Sequence, residues 1–173
     1  ETGILDVGLY PISFSRLIAG VATGEKFLEP KFIDAEARIG ETGVDEVAHA
    51  NLEFKNGIKA KVSTAIRETM KNNAVIIGSK GKIELPDPWM PGRDGGPYHA
   101  KIIINKNENE EIVDVKGPEH LFFFEGELAS QCIAKEKTEP PHPAMTWEDT
   151  LGNLQALDTW REKVNYKLPQ DEI

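Results

Sequence analysis

The middle of the chain, between residues 31 and 116, is a succession of short segments in which apolar and polar residues alternate. This period of two is typical of strands that bury one face. No helical pattern separates the segments, and consecutive strands without crossover helices pair antiparallel. Asn56-Gly57 and Ser79-Lys80-Gly81 supply tight turns for two hairpins. The predicted strands are KFIDAEARI, VDEVAHANLEF, GIKAKVSTAIRE, NAVIIGS, KIELP, AKIIINK and EEIVDVK.

Helical patterns flank these strands. Apolar residues at helical spacing predict a first helix over residues 5–19, and the segment EHLFFFEGELASQCIAKEK predicts a second. Thr146 and Asp149 form a capping-box pattern that begins a third helix. The apolar repeat of this helix is Leu151, Leu154, Leu157 and Trp160. The expected fold is therefore α+β: residues 1–173 form a single domain with a large open, mainly antiparallel sheet and helices packed on one face.

Charge and cysteine content narrow the function classes. The chain has 173 residues and a net charge of −9, which argues against nucleic acid because that ligand requires a basic face. The longest apolar stretch, YPISFSRLIAGVA, is short and contains Arg16, so we expect no membrane partner. The single cysteine, Cys132, excludes an internal disulfide and favours a cytoplasmic location, where it is expected to be a buried structural thiol.

Common cofactor motifs fail in this chain. AGVATGEK has too few residues between its glycines for a phosphate loop, and no Gly-x-Gly-x-x-Gly follows a predicted strand. We therefore expect no cofactor-binding residues in this chain. The histidines, His49, His99, His120 and His142, are too far apart in sequence to suggest a zinc site, so no metal is expected either.

The opening stretch ILDVGLYPIS is the main functional signal because it places Asp6 and Tyr10 four residues apart. One interpretation is structural: a helix start with a capping Asp and a half-buried Tyr. The other is an acid/base pair, since residues four apart on a helix face the same way. The residues alone leave both interpretations open.

Three segments resemble the C-terminal domain of the glucose–fructose oxidoreductase/inositol dehydrogenase/MocA family. They are GILDVGLYPISFSRLIAG, GSKGKIELPDPW and MTWEDTLGNLQALDTWR, and the resemblance extends from Gly3 to about Val164. Dihydrodiol dehydrogenase-like and sugar oxidoreductase members are nearest, because they carry Tyr where inositol dehydrogenases carry His. Family members also have an N-terminal Rossmann domain that binds NAD or NADP, which this chain lacks. We expect this chain alone to be inactive.

The resemblance implies that Asp6 and Tyr10 are the catalytic pair, with Tyr10 in the proton-transfer position. Such a group is needed because moving a hydride from a secondary alcohol also requires loss of the hydroxyl proton. An unperturbed tyrosine titrates near ~10, and in the family a lysine of the Rossmann domain lowers this value. Arg67, near a strand end, and Trp89, in a proline-flanked loop, are weaker candidates for substrate binding; the alternatives are a surface arginine and a packed tryptophan.

The sequence therefore indicates two alternative functions from different classes. The first is the substrate and oligomerisation domain of an NAD(P)-dependent dehydrogenase acting on a sugar, polyol or cyclic diol. The second is a free-standing, non-catalytic module for ligand binding or dimerisation. Under the first, the resemblance implies a homodimer through the sheet, whose outer face is expected to include Val47, His49 and Leu52.

Overall fold

A computed structural model describes residues 2–92, 95–168 and 171, apart from the side chain of Asn56. Its elements in chain order are a π-helical turn Gly3–Val7, α1 Leu9–Thr23, β1 Lys31–Ile39, β2 Asp45–Glu53, a 3-10 turn Lys55–Gly57, β3 Lys59–Ala65, β4 Ala74–Gly78, β5 Gly81–Leu85, β6 His99–Lys106, β7 Asn109–Lys116, α2 Leu121–Ala134 and α3 Trp147–Lys163. The chain divides into two compact units. The first unit contains residues 1–70 and 141–173, and the second unit contains residues 71–140.

The strands form two antiparallel sheets, with order β1-β2-β3 in the first unit and β4-β5-β6-β7 in the second. The α+β class and the antiparallel pairing are confirmed. The prediction of one large sheet differs from this arrangement. Residues 66–73, IRETMKNN, are mostly polar and form no strand between β3 and β4, so the alternating pattern is interrupted there.

The core of the first unit lies between one sheet face and the helices α1 and α3. Trp160 and Leu157 of α3 and Ile12 of α1 are at most 1% exposed, and the ring of Trp160 lies 6.3 Å from the ring of Phe32. The sheet residues that join them in the core cluster are Phe32, Ala48, Ala50, Leu52 and Val62. The expectation of helices on one sheet face is therefore confirmed within this unit.

The structure corrects two predictions about which side chains face the core, one on β2 and one on α3. Leu52 is 1% exposed and belongs to the core face, whereas Val47 and His49 alternate with it and lie on the opposite face. On α3, Leu151 and Leu154 are 57% and 51% exposed, so only part of the apolar repeat faces the core. The small or polar residues Gly152, Asn153 and Ala156 are buried in their place. A spacing of three drifts around a helix of 3.6 residues per turn, which explains the error.

Arg16 of α1 joins three parts of the first unit. Its guanidinium is fully buried and donates to both Glu29 carboxylate oxygens, at 3.1 and 2.6 Å. It also donates to the side chain of Asn153 at 2.7 Å and to the carbonyl of Asp149 at 3.0 Å. Gly152 leaves room for this group, because a Cβ there would lie 2.1 Å from Arg16 Nη2. The network fixes α1 against α3.

The second unit has a different burial pattern. Cys132 of α2 is buried, as expected. The other predicted apolar positions of α2 are less covered: Phe124 is 38% exposed and Ile133 is 76% exposed. The ring of Phe124 contacts that of Tyr98 edge-on at 5.5 Å.

The described residues contain one helix, Gly3–Thr23, that is long and apolar enough to span a membrane by length and composition. The core helix of a globular protein passes the same test, so one such helix is weak evidence for a span. This helix buries Ile12, Arg16, Ala19 and Gly20 within the first unit. The expectation of no membrane partner remains a prediction.

Candidate active site

The N-terminus of the first helix is held by two strands. The backbone N–H of Ile4 donates to Asp45 Oδ2 at 2.6 Å, and Thr64 Oγ1 donates to the Gly3 carbonyl at 3.1 Å. Asp45 begins β2 and Thr64 lies near the end of β3, so both bonds come from the same end of the sheet. Thr2 caps the helix through a 3.0 Å bond from the Leu5 N–H. The start of this helix is therefore tightly defined.

A π-helical turn connects this anchor to α1. The N–H of Gly8 donates to the Gly3 carbonyl at 2.8 Å, five residues back, which inserts one residue into the turn. This geometry brings the Ile4 carbonyl oxygen to 2.3 Å from the place where a Cβ of residue 8 would lie. Only glycine fits there. The motif Asp-Val-Gly-Leu-Tyr thus has its glycine where the backbone requires it.

Asp6 and Tyr10 lie on either side of Gly8. The backbone is helical on both sides, so a separation of four residues puts the two side chains on neighbouring turns of one helix. Both are exposed, Tyr10 by 49%. Pro11 lies in the first turn of α1, where a missing N–H is tolerated, so the helix continues through it. The helix begins earlier and ends later than the predicted range of 5–19.

Asp45 is a residue that the sequence reasoning missed. Its carboxyl is fully buried, and burial raises its pKa despite hydrogen bonds from Ile4, Thr2 and Gly3, which favour the ionised form. Oδ1 has no hydrogen-bond partner among the described protein atoms. The available signal was an aspartate at the start of the predicted strand VDEVAHANLEF, an unusual place for a side chain that becomes buried.

Tyr166 follows α3 and lies close enough to Asp45 for the carboxylate charge to affect the pKa of its hydroxyl. Its ring is 5% exposed, and its hydroxyl is another buried group without a partner among the described atoms. Burial raises the pKa of Tyr166, and the negative charge of Asp45 raises it further. The anchor of the first helix therefore has a second polar side chain near it.

The two substrate-binding candidates lie in different units. Arg67 follows β3 in the first unit, has a 68% exposed side chain, and places Nε 3.8 Å from Glu46 Oε1. Trp89 is partly buried in a loop of the second unit. A cavity of about 420 Å³ lies in the same loop region. It is lined by Asp87, Met90, Pro91, Gly92, Gly96, Pro97 and His99. The substrate roles of Arg67 and Trp89 remain predictions.

The described residues contain neither a metal site nor a Rossmann-type dinucleotide site. Among residues 2–92, 95–168 and 171, no group of three His, Cys, Asp or Glu side chains could hold a metal ion. A dinucleotide site of the Rossmann type needs a parallel βαβ unit, and the strand pairs in this part of the chain are antiparallel. The described residues therefore contain no dinucleotide-binding unit of the Rossmann type.

Comparison with known proteins identifies relatives of this chain. Residues 2–84 match the family model of the GFO/IDH/MocA C-terminal domain. Trans-1,2-dihydrobenzene-1,2-diol dehydrogenase from Mus musculus is 26% identical over 98% of this chain. The enzyme of the same name from Xenopus tropicalis is 31% identical over 87% of it. The alignments cover 48% and 44% of those proteins, so the chain spans about half the length of the curated relatives it matches.

Solved structures share the fold. The 3-ketoreductase KijD10 from Actinomadura kijaniata, solved in complex with NADP, superposes with a TM-score of 0.76 at 21% identity. The match covers 94% of this chain and 48% of the ketoreductase. The matched family residues, 2–84, contain the whole helix start described above, including Asp6, Tyr10 and Asp45. The predicted resemblance to the C-terminal domain of GFO/IDH/MocA oxidoreductases is therefore confirmed.

Proposed function

We propose that this chain is the substrate domain of an NAD(P)-dependent oxidoreductase acting on a secondary alcohol or carbonyl of a sugar, polyol or cyclic diol. The observation that carries the proposal is Asp6 and Tyr10, exposed on one helix whose start is held by Asp45 and Thr64. Matches to dihydrodiol dehydrogenases over nearly the whole chain support it.

In this proposal the chain supplies the proton transfer. Oxidation of a secondary alcohol breaks its O–H and its C–H bond: the hydride would leave to the nicotinamide, and Tyr10, acting as the phenolate, accepts the hydroxyl proton. In the reverse direction the neutral Tyr10 hydroxyl returns that proton to the carbonyl oxygen. Asp6, one turn away, is an acceptor that can orient the hydroxyl. Exposure of Tyr10 is consistent with this role, because the phenol has to reach a substrate outside the helix.

The cofactor is assigned to residues outside this chain. The strand pairs of the described residues are antiparallel, unlike those of a Rossmann unit, and the relatives are about twice as long as this chain, which supports this assignment. NADP in the ketoreductase complex supports a nicotinamide cofactor for the intact protein. This chain therefore supplies the proton-transfer group, and the residues that position the nicotinamide for hydride transfer lie outside it. This chain alone is expected to be inactive.

Arg67 and Trp89 are proposed as substrate contacts. Arg67 is exposed beside the end of β3, and its ion pair with Glu46 is a long one of 3.8 Å, so its guanidinium can donate to a hydroxyl or a carboxylate. Trp89 is an aromatic side chain in the loop whose neighbouring residues Asp87 and Met90 line a cavity.

A homodimer through the sheet is also proposed, and the second unit gives it support. One face of its sheet is mainly aliphatic, with Glu111 opposite Ile104, and none of its aliphatic side chains is fully covered. These residues are Ile76, Ile83, Ile102, Ile104, Val113 and Val115. Sedimentation of the intact protein tests this, and Ile104→Lys is expected to convert a dimer into a monomer. A cytoplasmic location and the absence of nucleic acid and membrane partners belong to the same proposal, on the net charge of −9 and the single cysteine.

The test is Tyr10→Phe in the intact protein, with turnover of a trans-dihydrodiol and NADP as the readout. Removing the phenol hydroxyl is expected to lower kcat by roughly 10²- to 10⁴-fold. Tyr98→Phe is the matched control, since it removes a hydroxyl from the second unit and keeps the ring contact with Phe124. Unchanged turnover in Tyr10→Phe would exclude the proton-transfer role, whereas a wild-type protein without dehydrogenase activity would favour the non-catalytic module.

A further inference from the structure

Asp45 lies at an unusual place for a carboxylate. It is 0% exposed, and the groups that hydrogen-bond its side chain in the described part of the chain are backbone N–H groups and the Thr2 hydroxyl. No lysine or arginine in that part pairs with it. Burying a carboxylate without a cation beside it lowers stability. A side chain retained at such a cost is a candidate for function.

The contacts of Asp45 lead directly to the candidate pair. Its bond to the Ile4 N–H acts two residues before Asp6 and six before Tyr10. Thr64 of β3 donates to the carbonyl of the preceding residue, Gly3. The Gly3 carbonyl and the Ile4 N–H belong to one peptide group, so β2 and β3 both hydrogen-bond the same peptide group of the helix. The fit is tight, because a Cβ on Gly3 would lie 2.6 Å from Asp45 Oδ2. Any displacement of Asp45 must move the helix start.

The π-helical turn makes the helix sensitive to that displacement. Its closing bond runs from the Gly8 N–H to the carbonyl of Gly3, the residue that Thr64 also contacts. The hydrogen bond that closes the π-helical turn containing Asp6 therefore ends on the group that the strands position, and α1 with Tyr10 follows directly after that turn. If the helix start slipped, the turn would relax toward a regular α-helix and change the relative direction of the two side chains.

We propose that Asp45 is a positioning residue for the reaction: by holding the Gly3–Ile4 peptide group it fixes the π-helical turn and thereby aims Asp6 and Tyr10. This inference rests on the proposed function, because it assigns Asp45 a role through Tyr10. Asp45 itself is buried and does not touch substrate.

The experiment compares Asp45→Ala and Asp45→Asn in the intact protein. Misplacement of the phenol by a fraction of an ångström to an ångström is expected to lower kcat of Asp45→Ala roughly 10- to 100-fold, with KM for the nicotinamide cofactor unchanged. Asp45→Asn keeps an acceptor for the Ile4 N–H and is expected to restore most of the loss. In a Tyr10→Phe background, Asp45→Ala should cause no further loss, because the two changes act through the same group.

Asn51→Ala is the control on the same strand. Asn51 is exposed on β2 and donates to Asp34 at 2.7 Å, so its loss removes a hydrogen bond from β2 without touching the helix. If Asp45→Ala does not fold, Thr64→Val replaces it, since that change releases the same Gly3 carbonyl from β3. A kcat within about twofold of wild type in the folded variant would overturn the inference.

Amide hydrogen exchange separates this inference from the proposed function. Residues 4–10 should exchange faster in Asp45→Ala than in Asn51→Ala, whether or not the protein turns over a dihydrodiol. If wild type is inactive but this region exchanges faster, the proposed function fails and the structural link from Asp45 to the pair holds. If exchange at residues 4–10 is unchanged, the positioning role is wrong even in an active enzyme.

Discussion

The two compact units bury their apolar residues to very different extents. In the first unit Ile4, Ile12 and Trp160 are 0% exposed and belong to one core cluster. In the second unit Cys132 is the buried apolar residue among those described, while Ile77 is 81% exposed. The first unit has helices on its sheet, which is the second layer that a core needs. The comparison shows that the unit with the packed core is the one that carries Asp6 and Tyr10.

The largest expected effect is loss of the first unit's central aromatic side chain. Trp160→Ala removes a fully buried indole that packs near Phe32, and it should lower the free energy of unfolding by about 3–5 kcal/mol. Urea denaturation measures the change. The matched change in the second unit is Phe123→Ala, at a ring that is 51% exposed, with an expected cost below about 1 kcal/mol. Equal costs would mean that the burial contrast does not describe the protein in solution.

The next effect concerns charged side chains. Arg16→Ala removes a buried guanidinium that bonds Asn153 and the partly exposed Glu29, and it should cost about 3 kcal/mol because the buried Asn153 side chain loses that partner. Arg67→Ala removes an arginine with a 68% exposed side chain and a long ion pair, so its cost should stay within about 0.5 kcal/mol. Thermal unfolding of both variants measures the two losses of stability. A stable Arg16→Ala protein would show that the network adds little to the packing of α1 on α3.

Two glycines give effects of opposite sign. Gly8→Ala forces a methyl group onto the Ile4 carbonyl and should destabilise the first unit by about 1–3 kcal/mol. Gly126→Ala in α2 meets nothing within 4 Å and should stabilise that helix by about 1 kcal/mol, since alanine is the better helix former. Denaturation midpoints test both signs. A stabilising Gly8→Ala would show that the π-helical turn is absent.

The pH dependence should also differ in sign between the units. The raised pKa of Asp45 means that its contribution to stability is full below the unfolded value of about 4 and is lost as pH rises through the folded value. The hydrogen bond from His99 lowers the pKa of Asp114, so its contribution is present above the unfolded value and is lost as pH falls. The Asp114 effect is the smallest of the set, because that carboxylate is exposed.

Asparagine variants at positions 45 and 114 make the two pH dependences of stability measurable. As pH falls from 7 to 3, wild type should gain stability relative to Asp45→Asn and lose it slightly relative to Asp114→Asn. Urea midpoints at matched ionic strength report both differences. If the two differences changed in the same direction, the burial of Asp45 would be contradicted.

The sequence alone determined the local elements and the resemblance to the GFO/IDH/MocA C-terminal domain. Period-two alternation placed all the predicted strands close to their observed bounds, because alternation reports which side chains of a strand face a core. The Thr146 cap was predicted for the same local reason, and its Oγ1 accepts from the Asp149 N–H at 3.2 Å. The motif with Asp6 and Tyr10 was also readable, although its catalytic role stays a proposal.

Tertiary structure decided how those elements are used. The exposure of Leu151 and Leu154, the core position of Leu52 and the division into two sheets depend on which faces meet, and no single segment encodes that. The anchor at Asp45 is the clearest case. It lies 41 residues from Ile4 in sequence, and only folding brings its carboxylate to 2.6 Å from that N–H. A local pattern reports the conformation of its own segment, whereas a buried partner is chosen by packing between distant segments.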